Sequence, residues 1–195
     1  MESLPEPRPI IRGQRVLLRA PEREDIPTFV RWFNDAEVLA HLAMRAPMST
    51  AAEAAWFDRM LAAQGTTDYH FVICLAGDRR PIGTIGLHAI DFVHGFAEFG
   101  IAIGEKSEWG KGHGLDATRA ICDFGFGELR LERISLLVYA DNPRARRTYE
   151  GAGFRHEGTM RRALYQRGEH IDVHAMALLR DEWAALPHVR SWEAG

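Results

Sequence analysis

Residues 97–129, "AEFGIAIGEKSEWGKGHGLDATRAICDFGFGEL", run from a strand through a glycine-rich turn into a helix. "AEFGIAIG" (Ala97–Gly104) has the composition of a half-buried strand, and "LDATRAICDFGFGEL" spaces its apolar residues for an amphipathic helix. Between them "EWGKGHG" (Glu108–Gly114) places Gly110, Gly112 and Gly114 at alternate positions. Such a run has little to pack and loses much backbone entropy on ordering. A helix start carries four N–H groups without internal partners and a partial positive charge. Glycines ahead of it let those groups converge on the oxygens of a phosphate or pyrophosphate, and Lys111 would add a mobile charge. The plain alternative is a tight loop that binds nothing, but three alternating glycines exceed what a turn needs.

Two phosphate motifs are weighed against this loop. GxxxxGK[ST] is absent. Gly112-x-Gly114-x-x-Ala117 matches a dinucleotide fingerprint with Glu132 further on, yet that motif opens a parallel βαβ array. Here an antiparallel meander precedes it: "YHFVICLA" (69–76), "PIGTIGLHAI" (81–90) and "AEFGIAIG", joined by "GDRR" and "DFVHG". The match is accidental.

Working outward, "RVLLRA" (15–20) reads as a strand and "PEREDIPTFVRWFND" (21–35) as a helix with Phe29, Val30, Trp32 and Phe33 inward. "STAAEAAWFDRMLAAQG" (49–65) reads as a second helix, with Thr50 and Glu53 as a capping box, Trp56, Met60 and Leu61 as its apolar stripe and Gly65 as its stop. After the glycine run and its helix, "RISLLVYA" (133–140) is a buried strand. "DNPRARRTYEGAGF" is a helix capped by Asn142 with Pro143 in its first turn. Two strands near "RHEGTMRRALY" and "HIDVHAMAL" and a short helix, "LRDEWAAL", finish the chain. This order predicts an α+β fold: one domain over 1–195, with a loose arm at 1–12, a core at about 13–186, and a mixed, mostly antiparallel sheet of about seven strands flanked by helices.

Composition narrows the function. The 195 residues are 46% hydrophobic and 26% charged, with a net charge of -3. Nothing in that balance suggests a global grip on nucleic acid or membrane. No apolar stretch approaches a bilayer span and no signal-peptide core is present, so the expected address is cytoplasmic. Cys74 and Cys122 lack CxxC spacing and read as buried free thiols. His170 and His174 share a strand face, but adding His88 or Asp172 to make a metal site is guesswork, and no metal is expected.

"AEFGIAIGEKSEWGKGHGLDA", followed by "LERISLLVYADNPRARRTYEGAGFRHEG", resembles the GNAT superfamily of acetyl-coenzyme-A-dependent N-acetyltransferases. The branch resembled includes ribosomal-protein N-terminal acetyltransferases and the spermidine/spermine acetyltransferases. The resemblance runs from "VLLRAPEREDIPTFVRWFND" to "DVHAMALLRDEW". One departure is Trp109, where the family loop usually has Gln or Arg.

The resemblance implies a cofactor cleft between two parallel strands, "FGIAI" and "SLLVYA", that splay apart. Ile101, Ala102 and Ile103 would meet the pantetheine arm. Trp109, Gly110, Lys111, Gly112, His113 and Gly114 would take the pyrophosphate, and Asn142 would contact the cofactor as well as cap its helix. Tyr149 matches the tyrosine that acts as general acid at the sulfur, and Glu98 is the candidate base, unless a water chain serves. Glu37, Asp91 and Asp172 would give the acceptor pocket a negative field. The implied reaction is direct attack of a primary amine on acetyl-CoA in a ternary complex, with a polyamine or a protein N-terminus as acceptor and a homodimer possible. The alternatives are an aminoglycoside-type acetyltransferase, a non-catalytic acyl-CoA sensor, and an oxidoreductase resting on the GxGxxA match.

Overall fold

The computed structural model describes residues 11–193. Its strands are β1 (Ile11–Arg12), β2 (Val16–Arg19), β3 (Tyr69–Leu75), β4 (Pro81–Asp91), β5 (Phe96–Ile103), β6 (Arg133–Tyr139), β7 (Arg155–Gln166) and β8 (Glu169–Leu179). Its α-helices are α1 (Ile26–Trp32), α2 (Thr50–Ala63), α3 (His113–Asp123), α4 (Pro143–Gly151) and α5 (Arg180–Ala184). The strands form one sheet in the order β1-β2-β3-β4-β5-β6-β8-β7. All neighbours are antiparallel except β5 and β6.

The expected order of elements holds, and the sheet gains an eighth strand. Ile11 and Arg12, assigned to the loose arm, pair with Leu18 and Leu17. Ile11 is buried, and Asp116 of α3 gathers the intervening turn by accepting from the backbone N–H groups of Gln14, Arg15 and Val16. The rest of that arm lies outside the described residues.

The helix expected over 21–35 is shorter. A 3₁₀ turn, Arg23–Asp25, precedes it, because the buried Asp25 carboxylate binds both guanidinium nitrogens of Arg19 at 2.7 and 2.6 Å. In α2 the cap is Ser49 rather than Thr50, its Oγ accepting from the Ala52 N–H at 3.1 Å. Glu53 is therefore no part of a capping box; it is buried. The inward stripe is Phe57 and Met60, while Leu61 is 46% exposed, one residue off the buried face.

Two layers sandwich the sheet. On one face α3 and α4 cover the main core, built around Ile73, Leu87, Ile121, Phe126, Ile134 and Met176. On the other, α1 lies over Leu17, Val72 and Cys74 through Phe29 and Trp32, with α2 packed against α1. After Asp123 the helix widens into a π turn, Phe124–Glu128. Gly125 lets that turn lie flat on the sheet, since a Cβ there would sit 2.9 Å from Ile134 Cδ1 and 3.1 Å from Leu87 Cδ1.

The segment after β8, α5 included, is clasped to α3 by Asp123, which is 1% exposed. Its carboxylate accepts from Trp183 Nε1 at 2.8 Å and the Ser191 N–H at 2.7 Å, and lies 3.0 Å from His188 Nε2 and 3.5 Å from Arg190 Nη1. Trp183 also stacks on Phe126 at 5.2 Å. No helix among the described residues is long and apolar enough to cross a membrane.

Candidate active site

The parallel strands β5 and β6 pair only at their first residues, Phe96 with Arg133, Ala97 with Ile134 and Glu98 with Ser135. Beyond Glu98 they diverge, although β6 stays paired with β8 along its whole length. Buried backbone groups need partners, so a gap edged by Ile101–Ile103 on one side and Leu137–Tyr139 on the other can receive a peptide-like chain. A cavity of about 420 Å³ occupies that gap and continues to the glycine loop.

The loop's geometry is that of an anion cradle. Gly110 and Gly112 hold φ values of 77° and 85°, the left-handed region that L side chains adopt only under strain. Gly112 is the N-cap of α3, and α3 points its first turn at the cavity through His113 and Gly114. These features fit the pyrophosphate of a coenzyme, whose negative charge a helix N-terminus stabilises.

Of the ten expected cofactor residues, nine line this cavity: Ile101, Ala102 and Ile103 on β5; Trp109, Gly110, Gly112, His113 and Gly114 in the loop and first helical turn; and Asn142 at the α4 cap. Lys111 does not. Its ammonium turns back to Glu108 at 3.1 Å, and its carbonyl accepts from Arg15 at 2.9 Å. Trp109 donates its indole N–H to the Ile103 carbonyl at 2.8 Å and carries the Arg144 guanidinium 4.4 Å from its ring centroid. The departure at Trp109 thus ties the loop to the end of β5 and positions a cation at the cavity wall. Asn142 Oδ1 caps α4 by accepting from the Ala145 N–H at 3.1 Å.

Glu108 anchors the loop, a role that its place in the sequence does not announce. It is buried, accepts from Arg80 Nη2 at 2.8 Å and from Lys111, and faces His113 Nε2 at 3.2 Å. Those two cations hold its carboxyl down at about 2, against an ordinary 4.5. A depressed carboxylate stabilises the fold above its ordinary pKa, and that contribution disappears as pH falls through the folded value. The stability difference between wild type and Glu108→Gln is therefore expected to be full above pH 4.5 and to vanish by about pH 2. Urea unfolding at stepped pH measures it, and a difference constant with pH would contradict the anchoring role.

Tyr149 on α4 also lines the cleft. Its ring packs edge-on against Phe99 at 5.7 Å, and burial pushes its hydroxyl up to about 12, so it stays protonated at neutral pH. Glu98 lines neither this cavity nor the second one described below; it is exposed and stands opposite His88 in the β4–β5 register. Glu37 reaches the cleft rim, where Lys106 pairs with it and with Asp35.

Asp91 and Asp172 are not brought to the acceptor side. Asp91 closes the β4–β5 turn, accepting from the Val93 and His94 N–H groups, and Asp172 pins a β7 bulge by accepting from the Arg162 N–H. Nor are the histidines weighed for a metal gathered together. His174 packs against His156, and His170 against Tyr165.

A second cavity of about 400 Å³ adjoins the first through Leu42, Ile101 and Ala102, on the α1–α2 face of the sheet. It is lined by α1, α2, their connecting loop and β3–β5; the "DFVHG" turn and the last hairpin take no part in its wall. The hairpin tip instead braces the connecting loop, Gln166 donating to the Ala40 carbonyl and Arg167 to that of Ala36. Inside stand His70 and His88, ring centroids 4.6 Å apart. Burial lowers both, His70 to about 4, so both imidazoles are neutral at pH 7. With Asp68 they bring one ligand-type atom each within 4.8 Å of one another, a trio that spacing in the sequence did not disclose.

Comparison with known proteins agrees with this geometry. The model of the acetyltransferase (GNAT) domain family matches residues 15–155. The uncharacterised N-acetyltransferase p20 of Bacillus licheniformis is 30% identical over 174 residues, covering 88% of this chain and 96% of that protein. A spermidine N(1)-acetyltransferase of Vibrio cholerae is 33% identical over 105 residues, 54% of this chain and 60% of that one. The crystal structure of the Vibrio cholerae spermidine N-acetyltransferase in complex with CoA and spermine superposes with a TM-score of 0.81 at 26% identity, covering 87% of this chain and 98% of that one. With its splayed parallel strands and its glycine loop at a helix start, the chain belongs to the GNAT acetyltransferase family and is an N-acetyltransferase that draws on acetyl-CoA.

Proposed function

We propose that this enzyme acetylates the primary amine of a small cationic acceptor by direct attack within a ternary complex. The observation that carries the reading is that two neighbouring cavities share Leu42, Ile101 and Ala102 as wall, one reaching the glycine loop and the other lying between α1, α2 and the sheet. Bound acetyl-CoA supplies the thioester. The loop amides from Gly110 to Gly114 hold the diphosphate, and the unpaired edge of β5 holds the pantetheine arm. A backbone N–H of Ile101–Ile103 faces the developing oxyanion, and Tyr149 gives its proton to the departing thiolate.

The acceptor ammonium must lose a proton before it attacks. Glu98 lies outside both cavities, so we assign it the outer end of a water-borne proton route rather than direct contact. The second cavity is of small-molecule size, and relatives named as spermidine acetyltransferases support a small cation over a protein chain. Two buried free thiols, Cys74 and Cys122, agree with a reducing, cytoplasmic setting.

Thiol release from acetyl-CoA, read with and without amines, tests the reading. Wild type is expected to release thiol only when an amine is present. Gly112→Val forces a β-branched residue into φ 85°. The strain is of order 1–3 kcal/mol, and the displaced amides should weaken acetyl-CoA roughly tenfold or more by calorimetry. Unchanged affinity in this variant would remove the loop from the binding site.

A further inference from the structure

Glu53 is 1% exposed, lines the second cavity, and its Oε1 has no hydrogen-bond partner among the described residues. Burial raises its pKa. An uncompensated buried carboxylate is costly, and the burden is relieved when a ligand brings a cation to it. Around it the wall is apolar and aromatic, with Phe29, Phe33, Met44, Met48 and Trp56 facing the same space. The other titratable groups on that wall are His70 and His88, both kept neutral by burial. His88 is held beside the sheet by glycines: a Cβ on Gly86 would lie 2.5 Å from its Cε1 and one on Gly100 3.3 Å from its Nε2.

Resting on the acetyltransferase reading above, we propose that the acceptor is a monoamine with a bulky apolar or aromatic body, its ammonium bound by Glu53, rather than a linear polyamine. One carboxylate in an apolar chamber compensates one cation. Spermidine carries about three cationic nitrogens at neutral pH, and two of them would face this apolar wall without a second carboxylate to pair with. The body fills the aromatic wall; the ammonium gives up its proton to the water route that ends at Glu98, and the freed nitrogen leaves the ion pair to attack the thioester beside Ile101 and Ala102, the wall shared with the cofactor cleft.

The test is steady-state thiol release by the full chain with 2-phenylethylamine and with spermidine, beside calorimetry of acetyl-CoA alone. Wild type should favour 2-phenylethylamine by roughly tenfold or more in kcat/KM. Glu53→Gln keeps the shape and removes the charge, so it should raise KM for that amine roughly tenfold while acetyl-CoA affinity holds. Met44→Glu, on the connecting loop, adds a second carboxylate and should shift preference toward spermidine. A wild-type preference for spermidine, an unchanged KM in Glu53→Gln, no shift in Met44→Glu, or no turnover of 2-phenylethylamine by an enzyme that binds acetyl-CoA would each overturn the acceptor assignment. Failure of wild type to bind acetyl-CoA would instead overturn the reading of the cleft.

Discussion

Replacing Tyr149 with Phe lowers turnover by roughly 10²–10³-fold, while acetyl-CoA affinity stays within about twofold. The two effects separate because the ring and the hydroxyl serve different ends. The ring packs against Phe99 and Phe154 in the main core, and phenylalanine preserves that packing. In the proposed mechanism the hydroxyl protonates the leaving thiolate, and burial keeps its proton in place across the neutral range, with a pKa pushed up to about 12. No ionisation of Tyr149 should therefore show in the pH–rate profile below pH 10. Single-turnover kinetics with saturating amine would isolate the step. A parallel loss of rate and of coenzyme affinity would mean that Tyr149 shapes the cleft and does not donate a proton.

A larger loss of stability is expected from Asp123→Ala. The carboxylate is the meeting point of an indole N–H, a backbone N–H, His188 and Arg190, all from the segment after β8. Truncation strands those donors in the interior, and the cost should reach about 3–5 kcal/mol. Asp123→Asn keeps an acceptor for some of them and should lose less. Urea unfolding followed by tryptophan fluorescence reports both, since Trp183 sits in the clasp. A loss below about 1 kcal/mol would reduce the clasp to an ordinary surface contact.

The fold was legible where its signals are local. The glycine run, the Asn142–Pro143 helix start and the short loops of the meander each mark their element within a few residues, and every long element falls where those marks put it. Errors arise where tertiary packing overrides local pattern. Thr50 and Glu53 have capping-box spacing, yet Ser49 takes the cap because burial claims Glu53. Ile11 and Arg12 form a strand because α3, more than a hundred residues later, gathers the turn beside them through Asp116.

At the site, the residues carried by contiguous motifs, Lys111 excepted, came out along one cleft, whereas of the scattered carboxylates Glu37 alone did. Asp91 and Asp172 are occupied with a turn and a bulge. Glu53 and Glu108 were hidden because their meaning lies in burial. For Glu108 a faint signal existed, an acidic residue three positions before Lys111 in a loop expected to bind an anion.

The narrow β5–β6 junction also divides the sheet mechanically. Strands β1 to β5 find all their antiparallel partners among residues up to Ile103, and β6, β8 and β7 do the same among those that follow. Three residue pairs are the only strand pairing between those two units in the sheet of the described residues. A ligand spanning the gap proposed for the coenzyme would therefore splice the two units mechanically into one.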